Sequence, residues 1–379
     1  MPRSARFPSL VAPLFLVGAA ASSARGAIVF TDLYSLGSPP APLYGNASSL
    51  GVPIVDGQVV GSAVIDQKSL TTAAILWDAT TGVQSNLTPA TSTSAEAFAT
   101  DGTHQVGDGN TPTFDIHALM WSGTAASAID LNPGNATLST ARGVGGGQEV
   151  GGATSSGGQQ HATVWAGTAA SAVDLNPTSA ITSLAYASDG THQVGTMEVT
   201  SSPGQDHAVL WTGTAASAVD LNPAGDASSD AYGVGGGQEV GIAYATGDPV
   251  NATLWTGTAG SAVDLNPTGF TSSEAWGTDG TMQVGFGSPT TGGVNALLWY
   301  GTAGSAIDLD DYLSVGFEGA RAYSIDGDTI YGIAYTTDGT EHAVSWTVSA
   351  VPEPASAALI AVAASVGLVR PRRSARSRR

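Results

Sequence analysis

The chain has 379 residues, no cysteine and 50 glycines, with 42% hydrophobic and only 11% charged residues; disulfides, thiolate chemistry and cysteine-zinc sites are excluded, and the composition reads as many short strands joined by tight turns. Segment 28–350 holds 30 acidic residues against Lys68, Arg142 and Arg321, a net charge of −27, which repels phosphate backbones and speaks against nucleic acid as a partner. Divalent cations and basic partners stay compatible with that field, and the acidity also suits solubility in a salty exterior.

The first element, "MPRSARFPSLVAPLFLVGAAASSARG", opens with two arginines, followed by an apolar run from Leu10 to about Ala21 and then small residues. It predicts a secretory signal peptide over 1–24, removed by signal peptidase after Ala24 or within a few residues of it. The apolar core is too short for a spanning helix.

From residue 27 to 348 the chain repeats itself. Trp77, Trp121, Trp165, Trp211, Trp255, Trp299 and Trp346 mark seven units of about 44 residues, a period expected of four-stranded propeller blades. In one unit, "DAYGVGG" and "GQEVGIA" (230–243) predict a hairpin of strands a and b, "NATLW" (251–255) strand c, and "SAVDLNP" (261–267) strand d. Seven such hairpins begin near residues 49, 95, 140, 184, 230, 274 and 320. In "HAVLW", Val209 and Trp211 point one way, Ala208 and Leu210 the other; both faces are apolar, as a strand between blades requires. In "AVDLNP", Val219 and Leu221 are expected inside and Asp220 and Asn222 in water, on an outermost edge strand.

The count of strands predicts the closure. The last unit ends at "HAVSWTV" without a strand d, whereas "AIVFTDLYSLG" (27–37) carries the same apolar-Asp-Leu pattern. The fold expected is therefore all-β: a seven-bladed β-propeller of four-stranded antiparallel blades, its ring closed by an N-terminal strand. Turns of "DGT" type at Asp101, Asp189 and Asp279 alternate with "GGG" turns at Gly145 and Gly235, which implies duplication of a two-blade unit.

After the repeats comes "VPEPASAALIAVAASVGLVRPRRSARSRR": a Pro-Glu-Pro triplet, apolar or small residues 355–369, and an arginine-rich tail, 370–379. Fifteen helical residues reach about 22 Å, short of a ~30 Å hydrocarbon core, so this is a weak, short transmembrane helix with a cytoplasmic basic tail.

Two resemblances follow from these motifs. The C-terminal segment 351–379 closely resembles the PEP-CTERM sorting signal of Gram-negative bacteria. That family implies recognition of Val351, Pro352, Glu353 and Pro354 by an exosortase, transient membrane anchoring through the helix, and delivery to the cell envelope or extracellular matrix. The repeated "HAxxW…DL…GQxVG" resembles the HAF family of bacterial extracellular repeats, although its Phe is replaced by Leu119, Thr163, Val209 and Val344. This family implies export and a propeller-like fold, with no settled activity.

Candidate chemistry is sparse. His117, His161, His207 and His342 open strand c, where Asn251 and Asn295 stand in two units; a position that accepts Asn is expected to hydrogen-bond backbone rather than to hold a metal or a proton. Asp130, Asp174, Asp220, Asp264 and Asp308 recur in the units, too evenly for a single acid/base pair. No nucleophile elbow, phosphate loop, HExxH or EF-hand pattern is present. The expectation is a binding or structural protein that is not an enzyme, with no catalytic or metal-ligating residue and no cofactor, although acidic loops leave Ca2+ open. Exopolysaccharide is the expected partner. The rival is a propeller enzyme acting on extracellular polysaccharide, which a singular cluster of carboxylates, His or Tyr in the central channel would favour. The b–c loops differ in every unit, so the candidate binding rim is Asp108, Phe114, Asp115, Glu198, Asp206, Asp248 and Glu341.

Overall fold

The computed structural model describes residues 27–33, 54–55, 57–66, 71–78, 81 and 83–349. The first strand, β1 (Ile28–Asp32), belongs to the last blade. Blade one is β2 (Ile54–Val55), β3 (Gln58–Asp66), β4 (Thr71–Asp78) and β5 (Gln84–Asn86); blade two is β6 (Ala95–Thr100), β7 (Gln105–Asn110), β8 (Ile116–Trp121) and β9 (Ile129–Asp130). Blade three is β10 (Ala136–Gly145), β11 (Gln148–Ser155), β12 (Gln160–Trp165) and β13 (Val173–Asp174); blade four is β14 (Ala180–Ser188), β15 (Gln193–Val199), β16 (Asp206–Trp211) and β17 (Val219–Asp220). Blade five is β18 (Ser228–Gly235), β19 (Gln238–Tyr244), β20 (Asn251–Trp255) and β21 (Val263–Asp264); blade six is β22 (Phe270–Thr278), β23 (Gln283–Pro289), β24 (Asn295–Trp299) and β25 (Ile307–Asp308). Blade seven is β26 (Phe317–Asp326), β27 (Thr329–Thr336) and β28 (Glu341–Val348), completed by β1.

These seven antiparallel sheets, within the compact unit Ile28–Val348, are the expected seven-bladed propeller. The closure is as the strand count predicts: β1 pairs with β28 from Ile28 opposite Val348 to Asp32 opposite Val344. Phe30 then packs edge-on against Trp346, 5.9 Å between ring centres. The signal peptide, the sorting residues Val351, Pro352, Glu353 and Pro354, and the C-terminal helix lie outside the described residues. Among the described residues no helix is long and apolar enough to cross a membrane.

The core is divided among the blade interfaces. Each repeat tryptophan is buried against the preceding blade: Trp211 packs with Val150, Ala162 and Leu175, and Trp255 with Val194, Ala208 and Leu221. A polar staple accompanies the contacts from blade two through blade six. The Ala208 N–H donates to Ser229 Oγ at 3.0 Å, and that hydroxyl donates to Asn222 Oδ1 at 2.7 Å, joining blades four and five. Ser139, Ser183 and Ser273 repeat the arrangement with Asn132, Asn176 and Asn266. Between blades six and seven, Asp310 takes the Ala296 N–H directly at 2.9 Å.

The two-blade period has a structural counterpart. Gln105, Gln193 and Gln283 donate through Nε2 to the Oε1 atoms of Gln58, Gln148 and Gln238, at 2.9, 2.7 and 2.8 Å, linking blades one to two, three to four and five to six. Gly146 meets Gly190 so closely that a methyl group on it would fall 2.5 Å from the Gly190 Cα, and Gly236 meets Gly280 in the same way. The alternation of "GGG" and "DGT" turns is thus interlocking of neighbouring turns.

Strand d departs from its expected form. It pairs over two residues only, and Val219, expected inside, is 38% exposed while Leu221 is fully buried. The blades diverge toward the rim, so nothing covers the outer half of Val219. Asp220 faces water as expected and also sits 2.8 Å from His207 Nδ1.

Candidate functional site

The innermost strands carry one irregularity at the same place. The a–b ladders shift register between Ala97 and Ala99, Ala141 and Gly143, Ala185 and Ala187, Ala231 and Gly233, Ala275 and Gly277, and Ala322 and Ser324. Each bulge leaves one residue unpaired and re-aims its side chain. These residues are Phe98, Arg142, Tyr186, Tyr232, Trp276 and Tyr323, and all line one central cavity of about 630 Å³. The bulge needs glycine on the facing strand: a methyl group on Gly285 would collide with the Glu274 carbonyl oxygen.

Blades four to seven make an aromatic wall. Tyr186 meets Tyr232 edge-on at 5.6 Å, Tyr232 stacks on Trp276 at 4.5 Å and 18°, and Trp276 stands edge-on to Tyr323 at 5.5 Å. Two of the three basic residues of segment 28–350 also stand here. The Arg142 guanidinium lies 4.5 Å over the Phe98 ring and that of Arg321 4.8 Å over Phe286, with both Nε atoms buried and unpartnered.

Two residues before each bulge, toward the b–c loops, the same register level carries Glu96, Thr140, Leu184, Asp230, Glu274 and Arg321. Glu96 faces Asp108 across the ladder, so their side chains share a face. Burial pushes Asp108 up to about 6, against the Thr140 hydroxyl that donates to it at 2.9 Å and the nearby Arg142 charge. Burial also raises Asp230, with Asp206 adding to the rise. Glu274 is raised by burial too, offset by the Trp276 indole N–H at 3.0 Å and by Arg321. Tyr186 and Tyr232 are raised and Tyr323 is pushed up to about 12, in each case mainly by burial, so all three phenols stay protonated donors at neutral pH.

The rim residues named from the sequence divide. Asp108, on β7, accepts from the Thr140 hydroxyl and lies beside Arg142 of the cavity lining. Asp206 stands opposite Glu198 on β16 and β15, and Glu341 stands opposite Tyr335 on β28 and β27, beside Arg321. Glu198 accepts the Gly204 N–H at 2.9 Å and so shapes its own loop. Phe114 is 76% exposed at φ +67°, and Asp115 and Asp248 are exposed on their loops, Asp115 accepting a 2.8 Å bond from the Thr113 hydroxyl.

The repeated histidines are tied to the strand-d aspartates rather than to backbone. His117, His161 and His207 meet Asp130, Asp174 and Asp220 at 2.7–2.8 Å through Nδ1. Asn251 and Asn295 donate to Asp264 and Asp308 in the same geometry. His342 meets Asp32 of β1 at 3.2 Å, so the closing strand supplies the missing aspartate. Among the described residues no group of three or more His, Cys, Asp or Glu is arranged to hold a metal ion.

The channel residues themselves are absent from the candidate rim. Two signals in the sequence point to them: Trp276 is the eighth tryptophan, out of step with the other seven, and in blades two to seven a large side chain of varying type stands between an alanine and a small residue.

No family model and no curated protein matches the chain. Solved structures are similar in shape. A crystal structure of puromycin hydrolase aligns over 83% of this chain with a TM-score of 0.54 and 13% identity, and the chain spans 53% of its length. The β-propeller domain of the Trilobed protease from Pyrococcus furiosus aligns over 80% of this chain and 97% of its own, with a TM-score of 0.53 and 9% identity. That domain has an open velcro topology, whereas β1 closes the ring here. At these identities the likeness is one of fold. It nonetheless overturns the expectation that the chain is not an enzyme, since propellers of this shape occur in a hydrolase and a protease. The physical reason is that repeat symmetry describes the blade scaffold, whereas the channel breaks that symmetry at every bulge.

Proposed function

We propose that this chain is an exported envelope or matrix propeller that binds extracellular polysaccharide at the mouth of its central channel. The observation that carries this reading is the bulged slot. A scaffold of near-identical blades places three tyrosines, a tryptophan, a phenylalanine and an arginine at one variable inward position. Flat rings offer surfaces for the C–H faces of sugars, while carboxyls, guanidinium groups and phenols offer acceptors and donors for hydroxyls. The volume lies within the roughly 300–1,000 Å³ of small-ligand sites. Export is supported by the N-terminal segment. Sorting by an exosortase, with passage through a membrane-anchored stage, is supported by the Pro-Glu-Pro triplet, apolar run and arginine tail.

The test is glycan-array binding by the purified protein and its Trp276→Ala variant, with and without calcium. At least one glycan class should bind the parent and be lost in the variant. No binding by the parent, or unchanged binding by the variant, overturns the reading.

A second reading, cleavage of that polysaccharide, is favoured by Glu96 and Asp108. They face each other across one ladder and Asp108 is held up to about 6, the pattern of a proton donor beside a carboxylate. Release of reducing ends that stops in Asp108→Asn is the expected result; no release from any bound glycan removes it.

A further inference from the structure

Among the six bulge residues of the cavity lining, Arg142 of β10 is the charged one. Backbone fixes its slot on two sides. A methyl group on Gly143 would fall 2.4 Å from the Tyr186 carbonyl oxygen, and one on Gly151 would fall 2.0 Å from that of Thr140. The guanidinium lies 4.5 Å over the ring of Phe98, itself buried. A guanidinium set on a ring face keeps its in-plane N–H groups for other partners. No described residue takes those groups in an ion pair: every ion pair among the described residues joins a histidine to an aspartate. The Arg142 Nε is buried without a hydrogen-bond partner. Asp108, which feels the Arg142 charge, takes its hydrogen bond from the Thr140 hydroxyl at 2.9 Å. Arg321, by contrast, is hydrogen-bonded to Tyr323 and is not among the residues that line the cavity.

A half-buried guanidinium with an unmatched donor is costly, and an apolar ring in the same slot would avoid the cost. A ligand oxyanion offsets it, because the planar fork of arginine matches a carboxylate through two charge-assisted hydrogen bonds. The neighbouring slots supply the rest of a site. Tyr186, Tyr232, Trp276 and Tyr323 form a run of ring contacts at 5.6, 4.5 and 5.5 Å along the same lining, and ring faces suit the C–H faces of a sugar. The cavity therefore offers one cation beside a stacking surface. The net charge of −27 opposes anions at a distance, but screening over about 8 Å at physiological salt leaves a local pair intact. An isolated carboxylate is accepted where a densely sulfated chain is repelled.

From the stacked, unmatched Arg142 guanidinium beside the aromatic wall, we infer that the saccharide bound in the channel contains a uronic acid, its carboxylate held by Arg142 and its ring lying on that wall. The inference rests on the reading of the channel as a saccharide site and narrows it to one chemical class. Neutral sugars leave the guanidinium unmatched, and amino sugars bring a second positive charge to it.

The experiment is calorimetric titration of the full protein with glucuronyl-glucose, its methyl ester and cellobiose at one ionic strength. The free acid should bind about tenfold or more tightly than the ester or cellobiose, the worth of one charge-assisted pair. In Arg142→Gln that preference should fall to within about threefold, while cellobiose binds as it does to the parent, which shows the rest of the site intact. The comparison of acid with ester on the parent protein stands whether or not the variant folds. Equal affinity for acid and ester overturns the inference and leaves the saccharide reading standing. A preference that persists in Arg142→Gln places the carboxylate elsewhere and overturns the assignment. Phenylacetate serves as a carboxylate probe without a sugar: if it binds the parent and no sugar does, the saccharide reading falls and this inference with it.

Discussion

Tyr232 and Trp276 occupy the same position of adjacent blades, and their rings stack 4.5 Å apart at 18°. Each is the unpaired residue of a bulge whose facing strand is held by glycine. Their contact is therefore made by the innermost strands, and its loss need not open the blade interfaces. Trp276→Ala should abolish glycan binding while moving the thermal midpoint little. Trp255→Ala, at a fully buried interface site, should cost roughly 3–5 kcal/mol and show it in urea unfolding. Equal destabilisation by the two substitutions would count against the division between scaffold and channel.

Glycine opposite a bulge decides whether the bulge can form. Gly285→Ala drives a methyl group into the Glu274 carbonyl, so the strand must shift and Trp276 with it. Unfolding free energy should fall by about 1–3 kcal/mol, and tryptophan fluorescence should change even where the variant remains folded. An unaltered spectrum with unaltered stability would show that the ladder relaxes freely.

Closure by β1 joins the two ends of the repeat region. Deleting residues 28–33 removes Phe30 from Trp346, Asp32 from His342, and one whole edge of blade seven. The thermal midpoint should drop by more than 10 °C, with an apolar dye now binding, and an added peptide of 28–33 should recover part of the loss. A deletion that melts like the parent would mean that the ring holds without its clasp.

Asp310 replaces the staple asparagine at one interface, and burial is the main reason it is pushed up to about 7. At low pH both folded and unfolded chains hold the proton. As pH rises from about 4 the unfolded chain releases it first, so stability falls through the window up to about 7 and is flat beyond. Asp108, raised to about 6, adds a slope of the same sign. In urea titrations at pH 4.5, 6 and 7.5, Asp310→Asn should show a shallower decline than the parent. An identical slope would assign the dependence to the channel carboxylates instead.

Much of the scaffold was legible in the order of residues. Seven tryptophans at a period in the forties, one strand d too few at the end and one at the beginning, are local counts that need no geometry. They gave blade number, strand order and closure. The exposure of Val219 and the His207–Asp220 contact were not legible there, because alternation along a strand says which side a residue takes but not what reaches it from a neighbouring strand or blade.

The amino-acid sequence alone determined the propeller, since each blade except the closing seventh is made of contacts within about 44 residues, and their pattern repeats. It also carries the terminal segments read as export and sorting signals. What only the tertiary structure decided is the channel: Phe98, Arg142, Tyr186, Tyr232, Trp276 and Tyr323 are spread over 226 positions, and they meet because each bulge turns one side chain toward a common axis. A linear pattern shows the variable slot in each repeat. The ring is what brings six of those slots around one cavity.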